Sequence, residues 1–164
     1  DKIRMLRDHG RDPGDGKVKL YGFNSRLDNI QAAVLSFKLK YYDEEIARRR
    51  NIASIYQDEL EELSTILLPP GPNSDSKHFD IYQNYEIEAD ERDGLMDFLS
   101  KKGVGTIIQW GGYALHQFKD LGLTGNLDYT ESMTKKFMLL PLYPTLTDEE
   151  VLYICKQIKL FYNY

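Results

Sequence analysis

The chain has 164 residues, enough for one domain with a real core. Hydrophobic residues make up 41% and charged ones 29%, with twelve tyrosines and seven phenylalanines, which excludes disorder for most of the length. The formal charge of -5 argues against nucleic acid as the main partner, because phosphate-backbone recognition needs a basic field. A small anion is still allowed, since it needs only a local cation or free N–H groups. The single cysteine, Cys155, rules out an intrachain disulfide and a cysteine metal cluster, and a reducing cytoplasm fits it. No stretch is long and apolar enough to span a membrane, and no signal peptide opens the chain.

In chain order, Ile3, Met5 and Leu6 stand at helical spacing with no initiator methionine, as if a helix had been cut. The chain therefore reads as a fragment. Gly10, Pro13, Gly14, Gly16 and Gly22 mark a loop over residues 8–23, with a short alternating strand at 17–21. Leu27, Ile30, Ala33, Val34 and Phe37 predict a helix capped by Asp28 or Ser25. A break near residues 40–43 would let Asp43 cap a second helix, with Ile46, Ile52, Ile55, Tyr56, Leu60 and Leu63 inward. Its run Arg48-Arg49-Arg50, flanked by Glu44 and Glu45, reads as a solvated face. Pro69, Pro70, Gly71 and Pro72 make a linker.

Beyond the linker, residues 81–88 alternate as a strand. Residues 92–102 read as a helix with Leu95, Phe98 and Leu99 inward, stopped by Gly103. Residues 104–109 read as a second strand, broken by Trp110-Gly111-Gly112. Residues 129–137 read as helical, and 138–142 as an apolar run ending near Pro141 and Pro144. Thr147 caps a last helix with Glu150 three residues on, and Cys155 falls among Val151, Leu152, Ile154 and Ile158 as a core residue. The class is α/β, with two segments: residues 1–68 and, after the linker, 69–164.

Two constellations could carry chemistry. Asn24, Ser25 and Arg26 put an amide, a hydroxyl and a guanidinium ahead of a helix, which suits an anion. The alternative is a turn and cap, with Arg26 paired to an acid. Trp110, Tyr113 and His116 flank paired glycines, offering flat walls, close backbone approach and a titratable donor. The alternative is a tight turn with Trp110 in the core and His116 on a surface helix. His9 and His78 lie in loops and carry little, and three separated histidines make no metal site. Metalloprotease, nucleophile-elbow and P-loop motifs are absent from the sequence.

Three segments resemble one known family. Residues 4–10, Arg-Met-Leu-Arg-Asp-His-Gly, resemble an Arg-x-Leu-Arg-x-His-Gly run. Residues 22–33, Gly-Phe-Asn-Ser-Arg-Leu-Asp-Asn-Ile-Gln-Ala-Ala, are similar to a Gly-Tyr-Asn-x-Arg segment that continues into Gln-Ala-Ala. Residues 140–144 and 146–150 resemble Leu-Pro-Leu-x-Pro and Leu-Thr-x-Glu-Glu. The family is that of the DegT/DnrJ/EryC1/StrS sugar aminotransferases, which depend on pyridoxal 5'-phosphate. The resemblance implies the C-terminal portion of a fold type I transferase: the end of a large domain and interdomain helices in 1–68, and a small α/β domain in 69–164. It implies transfer of an amino group, typically from glutamate, to a keto carbon of a nucleotide-linked sugar, in a cytoplasmic homodimer with shared active sites. Asn24, Ser25 and Arg26 would lie near the cofactor phosphate of the partner subunit. Trp110, Tyr113 and His116 stand where the family's substrate loop often reads Tyr-x-Pro-Leu-His; His116 matches, and Trp-Gly-Gly departs from it. The Schiff-base lysine belongs upstream of residue 4, so no catalytic residue is carried over and the chain alone is expected to be inactive. The alternative is a non-catalytic sugar- or partner-binding module of the same descent.

Overall fold

A computed structural model describes residues 1–77 and 79–164. The chain divides into two compact units, Asp1–Asp43 and Glu44–Tyr164. The division falls within the helix Tyr42–Leu60, upstream of the proline-rich linker. Strand β1 (Ile66–Leu67), before the linker, is hydrogen-bonded to β2 (Tyr85–Ala89), after it. The linker is thus a loop within the second unit.

The first unit holds α1 (Lys2–Arg7), a looped stretch and α2 (Asn29–Lys38). The strand expected at 17–21 is reduced to one bridge, Arg11 to Val18. Asp28 precedes α2 with extended backbone, and its N–H donates to Gln31 Oε1 at 3.3 Å. No break follows α2. Lys38, Leu39 and Tyr42 stay right-handed helical through a 3-10 turn at Leu39–Tyr41, and α3 (Tyr42–Leu60) continues. Asp43 lies inside α3 and is not its cap.

In the second unit, α3 buries Ile52, Ala53, Tyr56 and Leu60. An antiparallel sheet in the order β1-β2-β3 faces the core with alternate residues Tyr85, Ile87 and Ala89 of β2. Tyr56 and Tyr85 stack with ring centres 4.8 Å apart. Leu95 and Leu99 of α4 (Arg92–Lys101) and Val151, Ile154, Cys155 and Ile158 of α6 (Asp148–Phe161) complete the core. The capping box at α6 forms as expected: Glu150 N–H donates to Thr147 Oγ1 at 3.2 Å, and Thr147 N–H donates to Glu150 Oε2 at 2.9 Å.

Several expected elements differ. The strand predicted from residue 81 starts at Tyr85, because Tyr82 is left-handed (φ 50°) and its N–H donates to Asp80 Oδ1 in a turn. The strand predicted at 104–109 is one bridge, Ile107 to Leu139. Its place beside β2 is taken by β3 (Phe137–Leu140), the apolar run to which no strand was assigned. The helix α5 (Asp128–Met133) stops early because Phe137 must pair with Glu88.

The arginine run is not a solvated face. Arg48 binds the Asp148 carboxylate and the Leu146 carbonyl. Arg49 donates to the carbonyls of Tyr82, Gln83 and Leu142 at 3.2, 3.4 and 3.4 Å. Arg50 donates to the carbonyls of Asp80 (2.7 Å) and Pro72, with its guanidinium 4.3 Å from the Phe79 ring centre. These guanidinium bonds tie α3 to loops that have no ladder partners of their own. No helix among the described residues is long and apolar enough to cross a membrane.

Candidate functional site

The two N-terminal motifs lie side by side. His9 N–H donates to Phe23 O (2.9 Å), Phe23 N–H to Leu6 O (2.7 Å) and Ser25 N–H to Arg7 O (2.8 Å), with a bridge from Asp8 to Asn24. Two glycines permit this. A Cβ on Gly10 (φ 78°) would come within 1.6 Å of Leu20 O, and one on Gly22 within 2.2 Å of Gly10 N. Asn24, Ser25 and Arg26 are exposed, and Arg26 Nε stands 3.7 Å from Asp8 Oδ1. That Asp8 oxygen is buried with no hydrogen-bond partner, so its charge faces the guanidinium. The helix begins only at Asn29, behind an acidic cap. The donors are therefore side chains on an extended segment, and the helix end adds less than its position in sequence suggested. Exposed His9 donates no side-chain bond among the described residues, and His78 lies outside them.

The second constellation is brought together. Trp110, Gly111 and Gly112 are successively left-handed (φ 52°, 65° and 79°), and this turn throws the indole outward, 80% exposed. The reading with Trp110 in the core is overturned. Trp110, Tyr113 and His116 all line one groove of about 910 Å³, with Phe118, Leu121 and Leu127 among its apolar walls. Tyr113 and Phe118 pack with ring centres 5.9 Å apart. Neither lysine nor arginine lines it. His116 sits on the 3-10 turn Leu115–Gln117, its side chain 9% exposed, with Nε2 3.0 Å from Glu131 Oε1 of α5.

Sequence reasoning missed Glu131 and the wall residues 118–127. Glu131 is one acid among many, fifteen residues from its partner. Leu121, Leu123 and Leu127 alternate with glycines at no regular period, so only the fold gathers them. No group of His, Cys, Asp or Glu among the described residues could hold a metal.

Comparison with known proteins decides the lineage. The model of the DegT/DnrJ/EryC1/StrS aminotransferase family matches residues 1–159. The chain belongs to that family. A "Pleiotropic regulatory protein" of Geobacillus stearothermophilus is 34% identical over all of this chain and 44% of its own length. A dTDP-3-amino-3,4,6-trideoxy-alpha-D-glucose transaminase of Streptomyces venezuelae is 29% identical over 97% of this chain and 42% of its own. The crystal structure of a DegT DnrJ EryC1 StrS aminotransferase from Brucella abortus superposes over 100% of this chain and 43% of that one, with TM-score 0.87 and 29% identity. The chain thus spans less than half the length of these relatives and has the fold of the corresponding part of an aminotransferase that depends on pyridoxal phosphate.

Proposed function

We propose that this chain is the C-terminal part of an aminotransferase acting on a nucleotide-linked keto sugar, with glutamate as amino donor and pyridoxal 5'-phosphate as cofactor. Residues 1–68 close the large domain and supply interdomain helices; residues 69–164 form the small domain. The observation that carries the reading is the groove, which collects Trp110, Tyr113 and His116, the residues that the resemblance aligns with the family's substrate loop. The Streptomyces relative, named for a dTDP-linked amino sugar, supports the substrate class.

The donor set at residues 24–26 fits the cofactor phosphate. Amide, hydroxyl and guanidinium all donate, and no bond among the described residues occupies the side chains of Asn24 or Ser25. In a homodimer these residues would hold the phosphate bound in the partner subunit. The cofactor, when bound, supplies the electron sink for moving the amino group. No lysine of this chain stands in the context that the family resemblance assigns to the cofactor-anchoring amine, so none is given that role. The groove residues orient the sugar and exclude water. The cytoplasm, with its supply of glutamate and nucleotide sugars, is the expected compartment.

The alternative, a free-standing binding module, would need a polar outer face on the first unit. Leu27, Ile30, Val34 and Phe37 are exposed there instead, which favours a face that is covered in a larger assembly. The test is cofactor retention. The chain alone, mixed with pyridoxal phosphate, dialysed and reduced with borohydride, should keep no specific adduct. In a protein that includes the upstream domain, Arg26→Ala should weaken retention about tenfold or more, the loss of one charge-assisted contact. A specific lysine adduct on the chain alone, or unchanged retention in Arg26→Ala, would refute the assignment.

A further inference from the structure

The groove, read as the sugar site, holds one imidazole, and the fold has already committed half of it. His116 lines the groove; Glu131 does not. The Glu131 carboxylate, 42% exposed on α5, reaches His116 Nε2 at 3.0 Å. A carboxylate only accepts, so Nε2 carries the proton and Nδ1 of the neutral ring carries a lone pair. Nδ1 has no hydrogen-bond partner among the described residues. The other walls are mostly aromatic and aliphatic, with Thr124 and Thr130 among them and no cation among the described residues.

We propose that Glu131 is a positioning residue: it fixes His116 in the Nε2–H form, so that Nδ1 accepts a hydrogen bond from a hydroxyl or acylamino N–H on an uncharged, partly apolar face of the ligand. The inference rests on the groove being the sugar site. The diphosphate is then excluded from this groove, because burying it there would leave its charge without a counterion. The ring edge facing the ligand discriminates by polarity: a substituent that can only accept would leave Nδ1 unpaired and is disfavoured.

The structural rival is that Glu131 merely places a negative charge in the first turn of α5. Two variants separate the roles. Glu131→Asp keeps the charge and loses reach; Glu131→Gln loses the charge and keeps an acceptor oxygen at full reach. Long-range proton–nitrogen NMR at a pH where the ring is neutral reads the tautomer of His116, and titration with dTDP-glucose, against dTDP as a probe without the sugar, reads recognition. The expected result is an Nε2–H ring in the parent protein and in Glu131→Gln, and a tautomer mixture in Glu131→Asp. Affinity for dTDP-glucose should fall about tenfold in Glu131→Asp while that for dTDP stays constant. An Nδ1–H ring in the parent, or an unchanged tautomer in Glu131→Asp, would overturn the positioning role. If the tautomer behaves as expected but His116→Ala binds dTDP-glucose as the parent does, the groove is not the sugar site, and the recognition step falls with it.

Discussion

Arg49 offers the sharpest test of how the second unit is held. Its guanidinium donates to three carbonyls, two of them part-buried (Tyr82 and Leu142) and one exposed (Gln83), at 3.2–3.4 Å. Replacing it with methionine keeps most of the apolar stem and removes the donors. A charge-assisted bond of ordinary length contributes about 1.5–3 kcal/mol. These are long, so about 1 kcal/mol for each part-buried one, and nothing for the exposed one, gives a loss of about 2 kcal/mol. With a urea slope of about 2 kcal/mol/M, the unfolding midpoint of Arg49→Met should drop by about 1 M. Lys156, exposed on α6 and without a hydrogen bond or ion pair among the described residues, is the control, and Lys156→Met should stay within about 0.5 kcal/mol of the parent. Arg49→Lys should recover part of the loss, since all three carbonyls are reached from the single nitrogen Nη1, whose place an ammonium can partly take. A shift for Arg49→Met no larger than the control's would show that the run is solvated after all.

Thr147→Ala should cost about 1 kcal/mol in the same assay, because it removes the acceptor for Glu150 N–H at the start of α6. Burial pushes the Cys155 thiol up to about 12 from 9.0, so it should resist alkylation at pH 8 until the protein is unfolded. Its folded value is raised, so the folded state holds the proton longer. Stability is intact below the unfolded value and falls by about 1.4 kcal/mol per pH unit above it, until the folded value is reached. Cys155→Ala should remove that part of the alkaline slope, and a slope unchanged by the substitution would refute the assignment. Gly10→Ala should open the loop at 10–22 to proteolysis, because the added methyl meets the Leu20 carbonyl.

What the sequence discloses depends on whether the signal is local. The α6 capping box lies within four residues, and α4 ends where Gly103 takes φ 78°; both are readable from one stretch of chain. The sheet is not. Residues 104–109 look as β-prone as 137–140, and only pairing with β2 decides that the latter become the strand. The arginine run fails for the same reason: its acceptors lie 22 to 100 residues away, and a charged triplet on a helix has no local sign of them. At the site, Trp110, Tyr113 and His116 were legible because they share a seven-residue turn. Glu131, which orients the histidine, was not.

The two units also differ in what holds them. Buried hydrophobic side chains begin at Ile52, so among the described residues Asp1–Asp43 contributes none to the core. That unit is held by backbone bonds, two tight glycines and exposed ion pairs such as Lys19 with Asp12. Exposed pairs add little, and a segment of this size cannot repay its ordering entropy without apolar burial. Meanwhile α2 shows a stripe of Ile30, Val34 and Phe37 to solvent at helical spacing. If that stripe is covered in a longer, dimeric enzyme, α2 amides in the chain alone should exchange orders of magnitude faster than those of α6. Adding the upstream domain should slow them. Equal protection of α2 and α6 in the chain alone would mean that the first unit stands by itself, and the covered face would have to be abandoned.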